Sequence, residues 1–172
     1  MKIFGGVIRK STLDDLPKIM EIYAYAREFM RQSGNPNQWK DDHPSEETVK
    51  EDIENGDSYV CVDENDVKAV FFFSTKPDPT YTKIDGAWLN DNPYGVIHRI
   101  ARAENSKGTG AFCINWCYNQ IPNLRIDTHE DNTPMLNMLK TLGFERCGII
   151  VIENGENRVA FQKKEKSNAG LN

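Results

Sequence analysis

The sequence predicts an α/β (α+β) domain in which a mixed, mostly antiparallel central sheet of six to seven strands is flanked by about four helices. Three observations support this fold class. Apolar residues recur at three- and four-residue steps over residues 13–30, which is typical of an amphipathic helix. Two pairs of β-type runs, within 58–74 and 144–163, are joined by short polar connections, as in hairpins. A glycine-containing turn connects the strand ending at residue 102 to a helix.

Start signals define the elements of the first half of the chain. Thr12 has the character of a helix N-cap, with Asp15 three residues later in a capping box. Ser45 caps the next helix, which Gly56 ends. The predicted elements are a strand at 7–10, a helix at 13–30, a loop at 31–44 that exposes Gln38 and Trp39, a helix at 45–56, and hairpin strands at 58–62 and 67–74.

The second half begins with an irregular segment, 75–94, which contains three prolines and a short strand near 82–88. Loops of this length in compact domains are often functional. Pro134 opens a later helix, and Gly143 occupies the C′ position at its end. The other predicted elements are strands at 96–102, 124–127, 144–152 and 158–163, and helices at 111–120 and 132–142.

Size and charge limit the classes of function. A chain of 172 residues corresponds to one domain, given about 150 residues per domain, and we assign residues 1–164 to it and 165–172 to a polar C-terminal tail. The net charge of −5 argues against a nucleic-acid-binding surface. We expect a cytoplasmic protein that does not associate with membranes, because the sequence lacks a signal peptide and an apolar run of about 20 residues.

The four cysteines do not form a C-x-x-C motif, so we predict no metal site. Cys113 and Cys117 lie four residues apart on a predicted helix, where two thiolates on one face are a conceivable ligand pair. Core packing is the favoured interpretation, because free cysteine behaves as a small apolar residue in a reducing compartment.

The turn before the helix at 111–120 is the most informative segment. Gly108 and Gly110 allow the backbone to approach a ligand closely, and the start of the helix directs unpaired N–H groups toward the same point. This combination predicts an anion site suited to a pyrophosphate. The P-loop and Rossmann patterns both fail, because neither a G-K-[ST] ending nor a third glycine follows at the required spacing.

Residues 105–110 (NSKGTG) resemble the [QR]-x-x-G-x-[GA] pyrophosphate loop of the GNAT superfamily of acyl-CoA-dependent N-acetyltransferases, with Asn105 where Gln or Arg is usual. The strand at 98–101 (HRIA) is similar to the one that precedes this loop in the family. The helix from Asn132 to the Leu-Gly-Phe at 142–144 and the opening strand and helix also match, so the resemblance covers nearly the whole chain in the correct order.

The resemblance implies a GNAT-like sheet and a coenzyme A site. Backbone groups of Ile100 and Arg102 would pair with the pantetheine arm like an added strand, and Asn132 would contact the pantetheine or acetyl end. The chain departs from the family at Leu139, where many relatives have a tyrosine that acts as general acid, and in a shorter turn between Ala101 and Asn105. The amides implied to hold the pyrophosphate are those of Ser106, Lys107, Gly108, Thr109, Gly110 and Ala111.

Amine acetylation also needs a base, because an alkylamine is almost wholly protonated at neutral pH. His98 is the first candidate, since strand alternation places it on the same face as Ile100 and histidine titrates near neutral pH; the alternative is simple packing at the sheet surface. His129 and Glu104 are weaker candidates. A backbone N–H of the strand at 96–102 is expected to stabilise the oxyanion, and a covalent route through Cys113 is disfavoured.

The resulting hypothesis is an N-acetyltransferase that moves an acetyl group from acetyl-CoA to a primary amine by direct attack in a ternary complex. The alternatives are a CoA-binding regulatory or sensor module, suggested by Leu139, and an acidic protein-interaction domain. A small-molecule acceptor is favoured over a protein, and a homodimer is left open. Trp39, Tyr81, Trp88 and Tyr94 are expected either to line the acceptor opening or to pack in the core, and Arg99 and Arg125 to contact substrate or to be ion-paired.

Overall fold

A computed structural model describes residues 6–40 and 42–166, so residues 167–172 of the predicted tail lie outside the described residues. Its eight strands form one sheet in the order β1-β2-β3-β5-β6-β8-β7-β4. None of the helices in the described ranges is long and apolar enough to cross a membrane. The elements are β1 Val7–Lys10, α1 Leu16–Gln32, α2 Glu46–Glu54, β2 Ser58–Asp63, β3 Asp66–Ser74, β4 Asp85–Gly86, β5 Gly95–Arg102, α3 Thr109–Gln120, β6 Asn123–Thr128, α4 Thr133–Thr141, β7 Glu145–Val151 and β8 Asn157–Lys164.

The predicted fold class is confirmed, but the sheet has eight strands instead of six to seven. Strand β4 lies within the short strand predicted near 82–88, and its two residues pair with Gly148 and Ile149 of β7. A Cβ atom on Gly148 would lie 2.1 Å from the carbonyl oxygen of Asp85, so this pairing depends on the absence of a side chain.

The first helix begins three residues later than predicted. Leu13–Asp15 form a 3-10 turn, and α1 starts at Leu16. The Asp15 carboxylate accepts the N–H of Thr12 at 2.8 Å and also pairs with Arg9 at 2.8 Å. The hydrogen bond from Arg9 is the largest influence holding the pKa of Asp15 below its ordinary value. The capping residues are therefore where they were predicted, but they stabilise the tighter turn.

The two sheet faces are covered by different elements. Helices α1 and α2 pack on one face, where Ile19 and Val49 meet Val60 and Val70 of the sheet. Helices α3 and α4 pack on the opposite face through Ile114 and other core residues. Segment 75–94 covers the α1 side of the sheet around β5, β7 and β8, with Tyr81 and Trp88 packed against Val96, Ile150 and Ala160.

A β-bulge interrupts β5. His98 pairs with Phe72, and Ala101 pairs with Val70, so two residues of β5 oppose one of β3. Arg99, at the bulge, has a φ of +49°, and its carbonyl accepts the hydroxyl of Tyr23 at 2.8 Å. The extra residue shifts the alternation, so that Ala101 packs on the α1 side and Ile100 against the α3/α4 core. The prediction that His98 and Ile100 share a face is therefore wrong.

Candidate functional site

Strands β5 and β6 diverge soon after they begin. They are parallel neighbours, and their paired positions are Gly95 with Leu124 and Val96 with Arg125. Beyond this point His98 of β5 and Asp127 of β6 both line a cavity. The fork leaves the edge of β5 accessible to a ligand that presents hydrogen-bonding groups.

The first cavity, of about 220 Å³, lies where the second half of β5 meets the starts of α3 and α4 and the C-terminal half of α1. Its walls are mostly apolar side chains together with the backbone of the glycine-containing turn. The lining residues are Tyr25, Ala26, Phe29, Met30, Ile100, Ala101, Arg102, Gly108, Gly110, Ala111, Asn132, Pro134, Met135 and Met138.

The turn at the base of α3 presents free amides to the first cavity. Gly108 is the N-cap, with a φ of +90° that favours glycine. The N–H of Thr109 donates to the Ser106 carbonyl at 3.2 Å, and among residues 106–111 it is the only amide with a hydrogen-bond acceptor in the part of the chain that the structure describes. The amides of Gly110 and Ala111 lie in the first helical turn, where no intrahelical acceptor exists. The turn thus has the character of an anion site.

The second cavity, of about 630 Å³, lies inside the fork and opens toward the loop between α1 and α2. Four residues line both cavities, namely Met30, Ile100, Asn132 and Met135. A ligand that extends from one cavity into the other passes these residues, so groups bound in the two cavities can meet there.

His98 is held inside the second cavity by a carboxylate. Its Nε2 atom lies 2.6 Å from Oδ2 of Asp78, and Oδ1 of the same carboxylate accepts the N–H of Thr80 at 2.9 Å. Burial alone would raise the pKa of Asp78, but the hydrogen bond and charge of His98 outweigh it and hold this pKa below its ordinary value. An ionised Asp78 accepts the Nε2 proton, so in the neutral ring Nδ1 is the free acceptor.

Asp127 stands on the other side of the His98 ring. Its Oδ2 atom is 3.9 Å from Nδ1 of His98 and accepts the hydroxyl of Tyr81 at 2.7 Å. Burial, followed by the nearby carboxylate of Asp127, raises the pKa of Tyr81 well above its ordinary value. Tyr81 therefore remains a hydrogen-bond donor to Asp127.

Gln38 connects the loop above the second cavity to the starts of the neighbouring elements. Its Oε1 atom accepts the side-chain amides of Asn35 at 2.8 Å and Asn132 at 2.9 Å, and the hydroxyl of Thr128 lies at 3.4 Å. Its backbone carbonyl accepts Arg158 at 3.3 Å. The position of Asn132 at the junction of the cavities is thus tied to the position of this loop.

No family model matches the sequence, and no curated protein matches it. Among solved structures, a GNAT-family acetyltransferase from Streptococcus agalactiae is 28% identical, with a TM-score of 0.84 over 95% of this chain and 97% of the other. A putative acetyltransferase from Staphylococcus aureus is 22% identical, with a TM-score of 0.70 over 94% and 100% of the two chains. A GNAT-family acetyltransferase from Listeria monocytogenes is 19% identical, with a TM-score of 0.67 over 93% and 95%.

The chain has the GNAT acetyltransferase fold. The family resemblance found in the sequence is confirmed by these structures. Because these structural neighbours are named acetyltransferases, the comparison supports acyltransferase activity for this chain.

The residues that the GNAT resemblance assigns to the coenzyme fall into two groups. Ser106 and Thr109 are buried, Lys107 is exposed, and none of the three lines the first cavity. The assignments of all nine residues stay predictions, with the amide of Thr109 already engaged inside the turn. The residues that line the first cavity are Ile100, Arg102, Gly108, Gly110, Ala111 and Asn132.

The weaker catalytic candidates are not among the residues that line either cavity. His129 uses its Nδ1 atom to accept the N–H of Asp131 at 3.0 Å, and Glu104 is exposed. Cys113 is fully buried in the core, and its contact with Cys61, followed by burial, raises the pKa of its thiol. Leu139, at the position where many GNAT relatives have tyrosine, is also fully buried.

The candidate aromatic residues divide between site and scaffold. Trp39 lines the second cavity, whereas the rings of Trp88 and Tyr94 lie 4.3 and 4.0 Å from the guanidinium carbon of Arg125. Arg125 is therefore held by aromatic rings and by a hydrogen bond to a carbonyl, and Arg99 is the arginine with a carboxylate partner, Asp52, at 2.8 Å.

Sequence reasoning missed Asp78, Asp127 and the role of Gln38. Asp78 lies in segment 75–94, whose length alone indicated function, and Asp127 is the last residue of a predicted strand. A polar residue at the carboxyl end of a strand beside a parallel neighbour is a recognisable signal for a site, although the parallel pairing was not predicted.

Proposed function

We propose that the chain is an N-acetyltransferase that transfers an acetyl group from acetyl-CoA to a primary amine by direct attack in a ternary complex. The observation that carries the proposal is the pair of cavities that meet at the β5/β6 fork, one at a helix N-terminus and the other beside the His98–Asp78 pair. Such a junction brings an acyl donor and an amine together, which is the requirement for rapid transfer.

The first cavity is proposed to hold the coenzyme. The amides of Gly108, Gly110 and Ala111, with the positive end of α3, suit a diphosphate. The free edge of β5 at Ile100 and Arg102 suits the amide groups of the pantetheine arm. This arrangement directs the thioester toward the residues that line both cavities.

His98 is proposed as the base. Its Nδ1 atom takes one proton from the acceptor ammonium, and the neutral amine forms a C–N bond with the thioester carbonyl carbon. A backbone N–H of β5 stabilises the oxyanion. When the C–S bond breaks, the thiolate takes the second proton of the amine nitrogen, so each turnover releases the amide, free coenzyme A and one proton.

We propose a small, cationic amine as the acceptor. A cavity of about 630 Å³ has the size of small-molecule sites, which favours a small amine over a protein acceptor. The net charge of −5 is compatible with a cationic acceptor. We also propose a cytoplasmic location, because acetyl-CoA must be available where the protein acts. A homodimer stays open.

Calorimetry with acetyl-CoA tests the coenzyme site. Gly110→Asp places a carboxylate at the start of α3, where it stabilises the helix but repels a diphosphate. We expect at least a tenfold loss of affinity, which corresponds to about 1.4 kcal/mol. Asn115→Asp adds the same charge at an exposed position of the same helix and should leave affinity unchanged. Absence of acetyl-CoA binding to the unmodified protein would overturn the proposal.

Thiol release over a panel of primary amines tests transfer. His98→Gln should lower turnover about 100- to 10,000-fold with unchanged acetyl-CoA affinity. His129→Gln is the matched control, because His129 lines neither cavity. Tight acetyl-CoA binding without thiol release for any amine would instead support a CoA-binding sensor module, the alternative suggested by Leu139.

A further inference from the structure

Among the residues that the structure describes, Asp127 is a largely buried carboxylate without a lysine or arginine partner. Its side chain is 11% exposed, and its partners within the described residues are the neutral hydroxyl of Tyr81 and the more distant ring of His98. Burying a carboxylate is costly unless a cation or several hydrogen bonds compensate it. The environment of Asp127 is therefore incomplete without a further hydrogen-bond donor.

The cationic side chains of the second cavity already have carboxylate partners. Arg99 pairs with Asp52 at 2.8 Å, whereas Lys40 and Arg158 both pair with Glu156, at 2.7 and 3.2 Å. Of the carboxylates that line the described part of this cavity, Asp127 is therefore the largely buried one without a lysine or arginine partner. Glu153 also lines the cavity, but it is exposed at the rim.

The spacing between Asp127 and His98 fits one nitrogen atom. Oδ2 of Asp127 and Nδ1 of His98 are 3.9 Å apart, which is too long for a direct hydrogen bond. Asp78 holds Nε2, so Nδ1 of the neutral ring is an acceptor. Two acceptors at this separation can each take a hydrogen bond of about 2.8 Å from a single ammonium group.

We infer that Asp127 is the residue that selects a charged primary alkylamine as acceptor, by binding its ammonium group together with Nδ1 of His98. This inference rests on the proposed function. Tyr81 is a positioning residue, because its hydroxyl fixes the carboxylate of Asp127. The bound ammonium gives its first proton to Nδ1, and Asp127 retains the remaining N–H groups while the lone pair turns toward the thioester carbon. Alcohols and arylamines, which are neutral at pH 7.5, lack the charge that Asp127 requires.

Nitrogen NMR of the full chain tests the inference without turnover. n-Butylammonium, added at pH 7.5, should shift the Nδ1 resonance of His98, whereas n-butanol should not. Asp127→Asn should weaken n-butylammonium binding about 10- to 100-fold, the range expected when a hydrogen bond loses its charged acceptor. Tyr81→Phe should give a smaller loss of the same kind.

Glu153→Gln is the matched control, because it removes a carboxylate from the rim of the same cavity. Its affinity should stay within about twofold of the unmodified protein. Equal binding to the unmodified protein and to Asp127→Asn, equal losses in Asp127→Asn and Glu153→Gln, or equal shifts with butanol would each overturn the inference. If urea titrations show that Asp127→Asn is unfolded, the comparison of butylammonium with butanol on the unmodified protein tests the inference. Acetyl-CoA calorimetry separates this outcome from failure of the proposed function.

Discussion

Replacing Asp78 with Asn should destabilise the protein in a pH-dependent way. The substitution preserves the shape of the side chain and its acceptor for the Thr80 N–H, but it removes the charge that faces His98 at 2.6 Å. A hydrogen bond to a charged group contributes roughly 1.5–3 kcal/mol and a neutral one about 0.5–1.5 kcal/mol. We therefore expect a loss of about 1 kcal/mol at neutral pH, or about 2–4 °C in Tm for a chain of this size.

The sign of the pH dependence follows from the depressed pKa of Asp78. In the unfolded chain an aspartate titrates near about 3.9, so the unfolded state binds its proton first as the pH falls. The stabilisation is fully present above the unfolded pKa and is lost as the pH falls through the folded pKa. The difference between Asp78→Asn and the unmodified protein should thus have its full size at pH 7 and should shrink as the pH falls below about 3.9.

Urea unfolding between pH 7 and pH 3 measures this difference. Asp14→Asn is the control, because Asp14 is exposed and has no ion pair within the described residues, and it should change the unfolding free energy little at any pH. The reasoning would be refuted by a difference for Asp78→Asn that is constant with pH or absent at pH 7. Turnover provides a second readout, since the variant should also lower the rate with an accepted amine.

Three further variants test the scaffold by urea unfolding. Arg99→Ala should cost about 3 kcal/mol by leaving Asp52 mostly buried and unpaired, and adding Asp52→Asn should restore part of that loss. Leu139→Ala should cost about 2–5 kcal/mol, because this side chain is fully buried; a smaller loss would contradict its place in the core. Gly148→Ala should displace β4 from the sheet and cost more than Gly155→Ala, where a Cβ meets no atom within 4 Å and the φ of +86° imposes strain of about 1–2 kcal/mol; equal losses would argue against the close approach at Asp85.

The features that the sequence predicted correctly are those that depend on residues close together in the chain. Ser45 and Asn132 cap the helices they were expected to start, because an N-cap depends on an amide two or three residues ahead. The hairpin of β2 and β3 closes through Glu64 and Asn65, both with positive φ, within the predicted polar connection. His98 lines the second cavity, but its role as base stays a prediction, and the bulge invalidated the argument that it faces the same way as Ile100.

The parts of the site that escaped prediction depend on distant contacts. Asp78 meets His98 across 20 residues, and Tyr81 meets Asp127 across 46. These contacts exist only because β3, β5 and β6 are neighbours in the sheet and segment 75–94 covers their shared face. The bulge at Arg99 gave no signal either, because a positive φ at arginine leaves no glycine in the sequence to mark it.

The contacts that hold segment 75–94 against the sheet affect how the sequence of this protein can be altered. The segment supplies Asp78 and Tyr81 to the site, while the rings of Trp88 and Tyr94 pack against the guanidinium of Arg125 on β6. The aromatic side chains that fix the segment and the side chains that contact His98 and Asp127 therefore lie in one stretch of chain. This stretch is separate from the turn that precedes α3. Under the proposed function, exchanging that stretch between proteins of this architecture should change the amine preference while leaving the proposed coenzyme site intact.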